Sequence, residues 1–163
     1  MKDGGGVWVG GMEKDEMKNE VDDTVMRILI ADDEPRVRSA LRLLLRQYPG
    51  VIVVGEAGNV ERALELAARQ RPDLVLLDWD LPGRGGPAAL EGLRATQQDL
   101  TVIALSGRSE ARRAALDAGV DAFVSKGDPP ERLLATLQAV WRTASRGARV
   151  HPSGVAVPCL QSP

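Results

Sequence analysis

Leu74-Val75-Leu76-Leu77-Asp78-Trp79-Asp80-Leu81-Pro82-Gly83 is four apolar residues that close on acid and then turn. A continuous apolar run this short, bounded by Pro72 on one side and Leu81-Pro82-Gly83 on the other, reads as a strand covered on both faces. Similar runs occur at Ile28-Leu29-Ile30-Ala31, Val51-Ile52-Val53-Val54, Val102-Ile103-Ala104-Leu105 and Ala122-Phe123-Val124. Amphipathic stretches lie between and after them. Val37, Leu41, Leu44 and Leu45 share one helical face, as do Val60, Ala63, Leu64 and Ala67. Leu90 and Leu93 mark a shorter third helix, and Ala111, Ala114, Ala115 and Ala118 a fourth with a small-residue face. Leu133, Leu137, Val140 and Trp141 mark a fifth, started by Asp128-Pro129-Pro130. Alternating strands and helices with short connections define an α/β fold: a (βα)5 unit, doubly wound on a five-stranded parallel sheet.

The 163 residues suit one domain with tails. One cysteine, Cys159, excludes an internal disulfide framework, and one histidine, His151, excludes a His-cluster metal site. A net charge of −2 does not point to nucleic acid. No apolar run is long enough to span a bilayer and the start has no secretory h-region, so the expected compartment is the cytoplasm. Residues 1–25 carry seven acids against three lysines, a net of −4, and read as a weakly ordered or disordered extension. Residues 146–163 hold three prolines, two glycines and no acid, and read as an irregular tail. The domain proper is 26–145. It has 15 arginines but a single lysine, Lys126.

Ligands of doubly wound sheets bind beyond the carboxyl ends of the strands. The first strand ends in Asp32-Asp33-Glu34, the third in Asp78-Trp79-Asp80, the fourth in Ser106-Gly107 and the fifth in Ser125-Lys126-Gly127. Clustered carboxylates favour a hard cation, Mg²⁺ above all. Carboxylates, a metal, a hydroxyl and an ammonium on one rim are the equipment of phosphoryl transfer, where positive charge and a hydrogen-bond donor meet the phosphoryl oxygens.

These residues, in this order and each at a strand end, resemble the response-regulator receiver domain of two-component signalling, over about 26–145. The resemblance implies a flavodoxin-like sheet of strand order 2-1-3-4-5; that order belongs to the family and is not read from this chain. It makes Asp78 the phosphoacceptor, supplied by a sensor histidine kinase or a phosphotransfer protein. It makes Asp32, Asp33, Asp78 and the backbone carbonyl of Asp80 the ligands of Mg²⁺. Ser106 and Lys126 would contact the phosphoryl group, and Phe123 would be the aromatic switch that follows Ser106. The protein would then be a phosphorelay switch rather than an enzyme, its chemistry limited to self-catalysed phosphoryl transfer and autodephosphorylation.

The segment Val124-Ser125-Lys126-Gly127-Asp128-Pro129-Pro130 is most similar to receivers of the NarL/FixJ class, which carry a helix-turn-helix output domain. The residues after 145 are too few for one, so the expectation is a stand-alone receiver or part of a longer regulator, with no direct DNA binding by this chain. The family often has a cis-linked proline after the lysine; Gly127 stands here and leaves the peptide isomer open. Asp80 and Arg108 place opposite charges beside the phosphoryl site. Gly83, Arg84, Gly85 and Gly86 read as a mobile loop, and Trp79 as a cover for the pocket mouth. A homodimer through the fourth-helix, fifth-strand and fifth-helix face is expected from the resemblance. Two alternatives stand beside this reading. One is a degenerate receiver that binds partners without phosphorylation. The other is a haloacid-dehalogenase-like phosphatase, for which Asp78-Trp79-Asp80 would be the Asp-x-Asp motif.

Overall fold

The structure, a computed structural model, describes residues 25–148, with side-chain surroundings up to Ala144. The extension at 1–24 and the tail from 149 onward, with His151 and Cys159, lie outside the described residues. The chain runs β1 (Met26–Ala31), α1 (Pro35–Arg46), β2 (Val51–Ala57), α2 (Val60–Gln70), β3 (Leu74–Asp78), α3 (Gly86–Thr96), β4 (Thr101–Ser106), α4 (Ala111–Ala118), β5 (Ala122–Ser125) and α5 (Pro130–Ala148). The last helix therefore continues into the stretch read as the start of the tail.

The five strands pair in parallel in the order β2-β1-β3-β4-β5, the doubly wound arrangement that the resemblance implied. Alternation along each strand sends residues to opposite faces. Leu29, Val75, Leu77, Val102 and Ala104 pack with α2, α3 and α4 through Val60, Ala63, Leu66, Leu90, Leu93 and Ala115. Ile28, Ile30, Leu74, Leu76, Ile103 and Leu105 face the other way, onto Leu45 of α1 and Leu133 and Leu137 of α5. Both faces are apolar because both are covered, which is why the strand sequences show no alternation of polar and apolar residues. The edge strand β2 departs from this. Ile52 is 45% exposed, and a register shift opposite Ile28/Leu29 leaves Val54 unpaired as a bulge.

Local chemistry sets the helix ends. The Asn59 side chain accepts a hydrogen bond from the Arg62 N–H at 2.8 Å and caps α2. Gly119, at φ 106°, ends α4 in the left-handed conformation that glycine tolerates best. Asp128 does not cap α5 directly; its carboxylate accepts from the Ser125 N–H and closes the turn ahead of Pro130. Among the described residues no peptide bond is cis, so Lys126–Gly127 is trans. No described helix is long and apolar enough to cross a membrane.

Two of the three glycines after β3, Gly83 and Gly86, sit in close packing, while Gly85, at φ 91°, has open space beside it. A Cβ on Gly86 would lie 2.3 Å from Trp79 Cδ2, and one on Gly83 would lie 3.0 Å from Val60 Cβ. Trp79 is 6% exposed and part of the core beside α2 and α3, so it does not cover the site mouth. Gly86→Ala should overpack this ring contact and destabilise the fold by about 2 kcal/mol, within the usual range for such insertions. Urea unfolding followed by far-UV circular dichroism checks this; unchanged stability would show that the ring moves freely.

Candidate functional site

Every strand end named from the sequence opens onto the same edge of the sheet. Asp32 follows β1 and is fully buried; its N–H donates to the Ala57 carbonyl at 2.9 Å, extending the β1–β2 ladder by one step. Asp78 ends β3 and is 2% exposed. Each carboxylate is oriented by the same device, an Asx turn. Asp32 Oδ1 accepts from the Glu34 N–H at 2.9 Å, and Asp78 Oδ1 accepts from the Asp80 N–H at 2.9 Å. One oxygen of each is thereby held by the backbone, and the other is left facing the site. Lys126, just beyond β5, fills that position. Its Nζ lies 2.7 Å from Asp32 Oδ2 and 3.3 Å from Asp78 Oδ2. Its own N–H donates to the Ser106 carbonyl at 2.9 Å, which ties the ends of β4 and β5 together.

Burial raises the Asp78 pKa above the ordinary carboxylate value. The bond from the Asp80 N–H pulls it back, the nearby Asp32 charge pushes it further up, and Lys126 lowers it, without cancelling the burial. Burial also works against the Lys126 ammonium, but its close pairing with Asp32 and the charges of Asp78 and Asp32 outweigh it and hold its pKa above the usual lysine value.

The third carboxylate, Asp33, is exposed beside the buried pair. One oxygen each from Asp32, Asp33 and Asp78 lie within 4.8 Å of one another. Asp32 Oδ2 is buried and accepts no hydrogen bond of good angle; it meets only the charge of Lys126. Three hard oxygen donors around a carboxylate atom in need of positive charge fit a divalent cation of the Mg²⁺ type.

Ser106 ends β4 and is fully buried. Its hydroxyl donates to Asp80 Oδ2 at 2.8 Å and accepts the Arg108 N–H at 3.0 Å. The Arg108 guanidinium clasps the other Asp80 oxygen through Nη2 and, at 3.2 Å, through Nε. That bond, together with Ser106, holds the Asp80 carboxyl below its ordinary range. The sequence marked Asp80 and Arg108 separately but not as a pair. The register of β3 and β4, with Asp78 opposite Leu105, is what brings the residues two beyond Asp78 and two beyond Ser106 side by side. Phe123 lies on β5, 8% exposed, with the Arg112 guanidinium carbon 5.7 Å from its ring centroid, a cation–π contact that sequence reading missed. An apolar groove of about 510 Å³, lined among others by Val37, Leu41, Leu44, Val124 and Pro130, opens next to Lys126.

A doubly wound sheet with a buried acid pair, a lysine and a hydroxyl at its carboxyl edge is the arrangement that the resemblance to receiver domains implied. The phosphatase alternative needs its Asp-x-Asp motif on the first strand; here the motif ends β3 and its second aspartate is bound by Ser106 and Arg108. Residues 28–138 match the response regulator receiver domain, and the chain belongs to that family. It is 38% identical over 112 residues to the nitrate/nitrite response regulator protein NarL of Escherichia coli, covering 68% of this chain and 52% of that protein. Among solved structures it is similar to a LuxR-family two-component response regulator from Aurantimonas (TM-score 0.67, 31% identity, 71% of this chain and 84% of that one). It is also similar to the isolated REC domain of RcsB from Salmonella enterica, solved with the phosphomimetic BeF3⁻ (TM-score 0.68, 25% identity, 72% and 89%). The chain spans about half the length of the curated relatives it matches.

Asp78→Asn keeps the amide oxygen for the Asp80 N–H and leaves Lys126 paired with Asp32. Because the folded-state pKa of Asp78 is raised, the native state holds its proton longer than the unfolded chain, and stability falls as pH rises through that window. The variant should therefore melt higher at pH 7, by about 2–4 °C for each kcal/mol recovered. The gain should vanish below the ordinary carboxylate pKa. Calorimetric melts at pH 7 and pH 3.5 check the sign.

Proposed function

We propose that this receiver domain accepts a phosphoryl group on Asp78 from a phosphohistidine donor, a sensor histidine kinase or phosphotransfer protein, and thereby switches a protein-interaction surface. The carrying observation is that Asp78 Oδ2 is buried, aimed by an Asx turn and faced by Lys126 at 3.3 Å, on a rim shared with Asp32, Asp33 and Ser106. Asp78 Oδ2 attacks phosphorus, a P–O bond forms as the donor P–N bond breaks, and the electron pair leaves with the imidazole. The acceptor becomes an acyl phosphate. Lys126 is placed to move from the Asp78 oxygen to a phosphoryl oxygen, so its charge follows the charge it neutralises. Asp32, Asp33 and Asp78, with the Asp80 backbone carbonyl, would hold Mg²⁺. When bound, that ion supplies positive charge to the phosphoryl oxygens.

The apolar groove beside Lys126 supports docking of the donor protein next to the acceptor. Phe123, under Arg112, is the proposed aromatic switch. Homodimerisation through α4, β5 and α5 remains a proposal as well. Ala111 and Ala115 of the small-residue stripe pack inward, so the face offered to a partner is that of Arg112, Arg113 and Leu116, the last 41% exposed. The proposed compartment of this switch is the cytoplasm.

Incubation with acetyl phosphate and Mg²⁺ should add one phosphoryl group to the intact mass. Asp78→Asn should add none, and removing Mg²⁺ with EDTA should abolish uptake. Loss of outer-shell partners of a metal costs about 10–100-fold, so Asp33→Ala, which removes a direct ligand, should slow uptake by at least that much. No uptake by the folded wild-type chain would favour the degenerate receiver.

A further inference from the structure

Ser106 has one hydroxyl proton, and a hydrogen bond to the phosphoryl group would require it. That proton is already given to Asp80 Oδ2 at 2.8 Å. Asp80 itself is fixed: its other oxygen is clasped by the Arg108 guanidinium, while the Arg108 backbone N–H donates to Ser106 Oγ at 3.0 Å. The three residues form a closed ring at the ends of β3 and β4, in which Arg108 touches both of the others. The charged side chains of the ring are exposed, 58% for Arg108 and 38% for Asp80. An ion pair at that exposure is weak and opens readily. Such a pair suits a catch better than a structural staple.

We propose that Arg108 is a positioning residue: by pinning the Asp80 carboxylate it keeps the Ser106 hydroxyl engaged away from the acceptor, and opening of the Arg108–Asp80 pair is a step in the activation of this chain. This rests on Asp78 being the phosphoacceptor. The competing role for Arg108 is charge neutralisation. In that role it would offset Asp80 beside an incoming phosphoryl group, and its removal would slow phosphorylation. The two roles predict opposite signs for one substitution.

The test is the rate of phosphorylation by acetyl phosphate with Mg²⁺ in wild type, Arg108→Gln, Asp80→Ala and the double variant, read by intact mass against time. Arg108→Gln should speed uptake by about two- to fivefold, the scale of an exposed ion pair. In the Asp80→Ala background the same substitution should change nothing, because the catch is already gone. Arg108→Lys, which keeps the charge but not the clasp, should behave like Arg108→Gln. In the metal-free, unphosphorylated protein, the Arg108 Nε–H resonance should carry the shift of a carboxylate-bonded guanidinium and should lose it in Asp80→Ala. Slower or unchanged uptake by Arg108→Gln in a chain that does phosphorylate overturns the catch and leaves the receiver reading standing. Absence of uptake in all four proteins overturns both.

Discussion

Two buried carboxylate oxygens, one on Asp32 and one on Asp78, face a single ammonium at the edge of an otherwise apolar sheet. Taking charges out of water is costly, and a net surplus of negative charge in a buried site costs more. The structure tolerates this because each carboxylate has a second oxygen bonded to a backbone N–H and because Lys126 reaches both. The surplus that remains is an attraction for positive charge. It suits the site to a divalent cation and, with one, to a phosphoryl group. The pocket is thus defined by an electrostatic debt in its resting state.

The scaffold exists to hold that geometry. Parallel strands β1, β3, β4 and β5 end side by side, and helices on both faces keep the strands buried up to Asp78 and Ser106 at their ends. Trp79 locks the turn after Asp78 by packing under Gly86, so Trp79 serves the core while Asp78 serves the site. The same turn sends Asp80 back over the mouth, where β4 supplies both its partners, Ser106 and Arg108. Rigid burial beneath and exposed, weak pairing above divide the labour: Asp78 is held in place, and the groups around it can be rearranged at small cost.

The architecture was legible in the sequence because strands covered on both faces need continuous apolar runs and helices on a sheet need amphipathic spacing. The acidic, hydroxyl and lysine positions were legible because a doubly wound sheet collects its strand ends on one edge. The chain alone therefore determined which residues reach one edge: Asp32, Asp33, Asp78 and Lys126, which meet there, and Ser106 at the neighbouring strand end. It could not determine how they divide their contacts. Which carboxylate Lys126 approaches more closely, whether Trp79 lies in or out, and whether glycines give freedom or closeness depend on side-chain directions and on distances of a few ångströms between segments far apart in the chain. Those were decided by tertiary packing. So was the pairing of Asp80 with Arg108, since opposite charges 28 positions apart become partners only when β3 and β4 lie in register.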